Sequence, residues 1–204
     1  MSGIVFVGNA DLTRDHSSLV DSADFVVRFN IPRTYSSGSG TRFDIWVITN
    51  AGGAKRFVKK RMFKDAVYKN QPDQLWFPRC VEVHKQLRER YPVEESLIVK
   101  KAERDFADRI IRTNDLQQTN IVRFSEDVYW GCLEILSKAT GRDAPVRIPS
   151  TGFLALYYVL YVLKQRPVTL VGFTFEGWKG HPWAIEESLV IGWANEGLVT
   201  CVPG

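Results

Sequence analysis

Ile4-Val5-Phe6-Val7-Gly8-Asn9, followed by Val20-Asp21-Ser22-Ala23-Asp24-Phe25-Val26-Val27-Arg28-Phe29-Asn30, is the stretch from which the architecture can be read. Two short apolar runs each stop at residues suited to a loop, and a helix-length interval separates them. The same alternation continues down the chain. Strand candidates are Ile4 to Val7, Phe25 to Arg28, Asp44 to Ile48, Leu75 to Phe77, Ile121 to Phe124, Val168 to Gly172 and Leu198 to Val202. Strands alternating with helical periods predict an α/β fold, a three-layer α/β/α sandwich around a mainly parallel sheet. One helix is predicted between Ser125 and Ala139, capped by Ser125 and ended by Gly141, with Val128, Cys132, Ile135, Leu136 and Ala139 toward the sheet. A second, Thr151 to Gln165, is apolar on all sides and reads as a central buried helix. The Ser-Ser-Gly-Ser-Gly run at 36–40 reads as a flexible loop.

A chain of 204 residues, 45% hydrophobic and 25% charged, supports one sizeable core, so residues 1–204 are expected to form a single domain. The net charge of +4 favours anionic partners without choosing among them. Cys80, Cys132 and Cys201 are odd in number and widely spaced, and with no Cys/His cluster they indicate neither a disulfide framework nor a metal site. A reducing, cytoplasmic setting is expected. The N-terminus lacks a cationic segment followed by a long apolar run, and no stretch approaches the roughly 20 apolar residues of a membrane span.

Four places have the residue types for ligand chemistry. Gly8 and Asn9 follow the first strand, where a glycine permits close backbone approach and an amide both donates and accepts; an ordinary turn has the same sequence. Asn30 ends the second strand, on the edge where ligands of parallel sheets collect. Ser150, Thr151 and Gly152 open the apolar helix, whose free amides and positive end suit an anion. In His181-Pro182-Trp183-Ala184-Ile185-Glu186, the proline suits a first helical turn and puts His181 at the cap, where a helix N-terminus keeps imidazole neutral. Ile185, Leu189 and Trp193 are the expected buried stripe of that helix. There is no GxGxxG, no P-loop, no nucleophile elbow and no pair of aspartates one residue apart.

Together these blocks resemble the conserved motifs of the sialyltransferases of glycosyltransferase family 29. That family reads "VGN" and then "ID-x-x-DFV-x-R-x-N", which Val7 to Asn9 and Val20 to Asn30 follow, with Gly40 to Asp44 at the block's end. Pro149-Ser150-Thr151-Gly152 and then Val171-Gly172-Phe173 resemble the second block, and a His and a Glu with four residues between match His181 and Glu186. The resemblance covers residues 4–50 and 149–197. It implies a variant GT-A-like nucleotide-sugar fold and a metal-independent, inverting transfer of sialic acid from CMP-sialic acid to a glycan hydroxyl, with no cofactor beyond the donor. Gly8, Asn9, Asn30, Ser150, Thr151, Gly152 and Phe173 would bind the nucleotide, His181 would be the general base, and Glu186 would orient the local structure. The family's animal members join the two blocks by a disulfide and carry an anchor and stem. Neither feature is visible here, which points to a minimal bacterial-type enzyme.

Two alternatives remain open in the sequence: a transferase using the CMP-linked eight-carbon keto-sugar Kdo of bacterial surface polysaccharide, and an inactive nucleotide-binding scaffold of the same fold. Residues 51–148 carry no motif and are expected to form the acceptor side. Within them Lys55, Arg56, Lys59, Lys60, Arg61 and Lys64, interleaved with apolar residues, read as a solvated helix face or as a peripheral contact with a glycolipid acceptor or anionic membrane. A single basic cluster with no recognisable module argues against nucleic acid.

Overall fold

The computed structural model describes residues 3–59, 72–90, 104–141 and 147–203. Its strands are β1 (Ile4–Val7), β2 (Phe25–Phe29), β3 (Ile45–Val47), β4 (Gln74–Phe77), β5 (Asn120–Arg123), β6 (Val168–Val171) and β7 (Val199–Val202). All neighbours pair in parallel, in the order β5-β4-β3-β2-β1-β6-β7. The chain winds outward from β1 to β5, then returns to lay β6 on the other side of β1. That reversal opens a crevice beyond the carboxyl ends of β1 and β6. The register pairs Val7 with Arg28 and with Val171, so the loops after β1, β2 and β6 leave the sheet at one level.

Period-two alternation sends each strand's side chains to both faces, and both are covered over the interior strands β1 to β4 and β6. Phe6, Val27, Phe29, Ile45, Val47 and Trp76 meet residues of α3 (Val81–Arg90), α5 (Glu126–Thr140), α6 (Thr151–Tyr157) and α7 (Trp183–Asn195). On the other face, Trp46, Ile48, Leu75 and Phe77 pack with α2 (Lys55–Lys59) and α4 (Ala107–Thr113), while Val5, Val7 and Val26 pack with Val20 of α1 (Ser17–Asp21). The result is the expected α/β/α sandwich.

Ser125 caps α5 by accepting from the Val128 amide, and Gly141 ends it in the left-handed conformation, φ 64°. The buried stripe is Val128, Tyr129, Cys132, Leu133 and Leu136. Ala139 instead lies exposed. The helix expected over Thr151 to Gln165 also differs from expectation. Following α6, residues Tyr158–Val162 form a π-helical turn, and Tyr161, Val162 and Leu163 emerge to solvent. Apolar composition alone does not distinguish this uncovered turn from the covered ones before it. On α7 the stripe is rotated by one residue: Glu186, Val190 and Trp193 are buried, with Ile185 and Leu189 half-buried at its flank.

The run 36–40 is held, not loose. Arg28, fully buried, donates through Nε to the Arg42 carbonyl, through Nη1 to Ser39 Oγ (2.9 Å) and through Nη2 to the carbonyls of Ser39 and Gly40. Four acceptors around one desolvated cation fasten the loop beneath the sheet edge, and Ser39 is itself fully buried. Burial pushes the Arg28 guanidinium down to about 10. Among the described residues no helix is long and apolar enough to cross a membrane.

Candidate functional site

A cavity of about 390 Å³ opens at the crevice between β1 and β6, and its wall gathers Gly8, Asn9, Asn30, Ser150, Thr151, Gly152, Phe173 and His181. Residues from four separated stretches of sequence therefore meet at one edge. Several do so in roles that spacing did not reveal. The Gly8 amide donates to the Val171 carbonyl (2.8 Å), so it is spent on the sheet. A Cβ on Gly8 would stand 2.1 Å from the Gly172 carbonyl oxygen, and one on Gly152 would stand 3.1 Å from the Phe173 ring. These glycines let β1, β6, α6 and the Phe173 ring close together, and both still line the cavity. Phe173 in turn packs edge-on against Phe29.

Asn9 is committed at both ends of its amide: Nδ2 donates to the Phe29 carbonyl (3.0 Å) and Oδ1 accepts from the Arg33 amide (2.9 Å). It ties the loop after β1 to the loop after β2. Asn30 adopts φ 50°, a conformation that asparagine tolerates, and its Oδ1 accepts from the Thr49 amide (3.0 Å). Its Nδ2 is left at the cavity wall with no protein acceptor among the described residues.

At the start of α6, Ser150 is the cap, its Oγ accepting from the Phe153 amide (3.0 Å). The Ser150 amide donates to Glu186 Oε1 (2.6 Å). The amides of Thr151 and Gly152 have no intrahelical acceptor and sit on the cavity lining with the Thr151 hydroxyl, a cluster of donors at a positive helix end. Glu186 thus orients the α6 entrance from α7. It is fully buried, Oε2 has no partner, and burial raises its carboxyl to about 7 against the opposing pull of Ser150's hydrogen bonds and of Arg79.

His181 stands one residue before the cap of α7, which is Pro182. Burial lowers it to about 4, helped by the Arg79 charge and opposed by its bond to a carbonyl. Nδ1 lies 2.7 Å from the Ile148 carbonyl oxygen, which can only accept, so the proton resides on Nδ1 and Nε2 presents a lone pair. Trp178 and Trp183 flank the ring edge-on at 4.8 and 5.0 Å, fixing its plane.

Arg79 carries no motif in the sequence, yet it reaches this centre. It follows β4 at the same sheet edge where Asn30 follows β2, and that placement is the signal by which it could have been found. Asn50 grips its backbone from both sides, accepting from the Arg79 amide (2.9 Å) and donating to its carbonyl (2.9 Å). Its Nη1 donates to the Tyr129 hydroxyl (3.2 Å), which lies 3.1 Å from His84 Nε2. Burial and Arg79 together lower His84 to about 3, and burial raises Tyr129 to about 12. Of the basic cluster, Lys55 and Arg56 line a neighbouring cavity and Lys59 ends α2, whereas Lys60, Arg61 and Lys64 lie outside the described residues. Among the described residues no group of three or more His, Cys, Asp or Glu is placed to hold a metal ion.

No protein-family model matches the chain. The urease operon 23 kDa accessory protein of Rhizobium meliloti (strain 1021) is 24% identical over 211 residues, spanning 95% of this chain and 89% of that protein. A crystal structure of a mammalian sialyltransferase superposes with a TM-score of 0.63 at 15% identity, covering 100% of this chain and 69% of the other. A mammalian sialyltransferase in complex with Gal-beta-1-3GalNAc-ortho-nitrophenol gives 0.61 at 14% identity, covering 100% and 70%. The fold is sialyltransferase-like. In this sialyltransferase-like fold the cavity lies where the winding of the sheet reverses, and His181 stands at its mouth beside Trp178.

Proposed function

We propose that this protein is an inverting glycosyltransferase that moves a sugar acid from its CMP-linked donor to a hydroxyl, with His181 as general base. The observation that carries this reading is a pairing across one cavity. The Thr151 and Gly152 amides offer donors for a phosphate, and the free Nε2 of a neutral imidazole shares the wall. In the reaction the acceptor oxygen attacks the anomeric carbon on the face opposite the phosphate, and its proton passes to Nε2. The bond from that carbon to the phosphate oxygen breaks, so CMP leaves as an anion stabilised by donors already in position. Donor and acceptor alone complete the chemistry. Both CMP-sialic acid and its Kdo counterpart fit this description; sialic acid is favoured by the residue pattern at Val7–Asn9, Asp24–Asn30 and His181–Glu186.

The test is CMP release from CMP-sialic acid by wild type and His181→Ala. The variant is expected to lose about 100- to 10,000-fold in rate while CMP still raises its melting temperature. Equal rates would end the assignment of His181. A second reading, favoured by the relative whose name places it in a urease operon, is a nucleotide-binding accessory factor without turnover. CMP binding by wild type, with neither transfer nor donor hydrolysis, is its signature.

A further inference from the structure

His181 lies on a shared wall. A second cavity of about 680 Å³ opens on the β3 and β4 side, and it has Asn30, Arg56, Thr151, Trp178 and His181 in common with the first. Its remaining wall includes Lys55, Arg79 and Arg104, which with Arg56 makes four cations, and among the described residues no carboxylate faces it. All four come from the stretch 51–104, which bears no resemblance motif.

Arg79 is the decisive residue. It is 7% exposed, and among the described residues the Tyr129 hydroxyl is its one side-chain hydrogen-bond acceptor, although a guanidinium carries five donors. Asp105, the nearest acid in sequence to this wall, is turned away from it. It accepts from Asn50 (3.0 Å) and the Ala107 amide (2.7 Å), and it pairs with Arg123 (3.3 Å). Glu186 feels the Arg79 charge, but its carboxyl, raised to about 7 by burial, accepts from the Ser150 amide and forms no ion pair with Arg79. A desolvated cation with no anion beside it is costly, and the cost is recovered when a ligand supplies the anion. The Asn50 clamp and the Tyr129 bond hold Arg79 in place beforehand, so little ordering is required on binding.

We propose that this second cavity is the acceptor subsite, and that the acceptor sugar carries an anionic group, a carboxylate or a phosphate, which Arg79 and Arg104 bind while its hydroxyl is presented to His181. The proposal rests on the glycosyltransferase reading for the word acceptor, and on the cavity alone for the anion. It distinguishes two uses of the basic residues: Lys55 and Arg56 serve the rim of a cavity and are not simply a patch facing a membrane.

The experiment is calorimetric titration of wild type, Arg79→Gln and Arg104→Gln, each saturated with CMP, with galactose, galactose 6-phosphate and glucuronic acid. Arg104 is exposed, so its variant folds whatever becomes of Arg79. At low salt at least one anionic sugar is expected to bind about tenfold more tightly than galactose. That preference falls roughly three- to tenfold in Arg104→Gln and further in Arg79→Gln, while CMP affinity of Arg104→Gln stays within about twofold of wild type. Comparison of the two anionic sugars tells phosphate from carboxylate. Equal binding of all three sugars, or a preference that survives in both variants, overturns the subsite. So does Arg104-dependent binding to phosphatidylglycerol vesicles with no anionic-sugar preference. If CMP binds nowhere but the arginine-dependent preference persists, the anion subsite stands and the transferase reading falls.

Discussion

Replacing Glu186 with Gln tests whether a buried acid organises the α6 entrance. Glu186 is fully buried, Oε1 accepts from the Ser150 amide and Oε2 has no partner. Burial raises its carboxyl from the ordinary 4.5 to about 7. A folded-state value above the unfolded one means that the native state holds the proton longer. Between pH 4.5 and 7 the folded chain therefore binds more protons than the unfolded, and this group's contribution to stability falls as pH rises. Its full penalty, present above pH 7, is roughly 3 kcal/mol, of which about 2.5 kcal/mol develops between pH 5 and pH 8. Glutamine keeps an oxygen for Ser150 and does not titrate. Its amide nitrogen lacks an acceptor, which costs about 1–3 kcal/mol at every pH. The two histidines, lowered to about 3 and about 4, contribute the opposite slope, rising with pH toward 6.5, but they are common to both proteins and cancel in the difference. Thermal melts at pH 5 and pH 8 should therefore show Glu186→Gln gaining on wild type by about 5–10 °C across that interval. Parallel curves would refute a raised carboxyl at this position.

Gly8→Ala, whose Cβ would stand 2.1 Å from a backbone oxygen, should cost about 3 kcal/mol in urea unfolding, whereas Gly53→Ala, with nothing within 4 Å, should be near neutral. With His181 lowered to about 4, kcat/KM for transfer should hold level from neutrality down to about pH 5 and fall tenfold per unit only below pH 4; a fall centred near 6.5 would mean the imidazole is not desolvated.

The interior strands β1 to β4 and β6 were legible because a strand covered on both faces must be apolar whatever lies beside it. All seven predicted strands agree with the observed ones to within a residue at each end. Ser125 and Gly141 were legible for a local reason, a cap and a left-handed turn. What the glycines do was not. Gly8 and Gly152 read as ligand-contact positions, and only the structure adds that Gly172 and Phe173, distant in sequence, pack where their side chains would stand. His181 is recognisable in the sequence as a candidate base, but its burial and the Arg79 charge that lower it depend on distant neighbours and not on the adjacent proline.

The sequence by itself determined the layered parallel architecture and the candidate set from Gly8 to Glu186, since apolar periodicity and loop chemistry are local properties of the chain. Only the tertiary structure decided that Arg79 belongs with His181, that Asn9 is a structural tie, and that two cavities share a wall at the imidazole. Those relations depend on which strand lies beside which, and that depends on side-chain packing summed over the whole sheet, which no short window of residues contains.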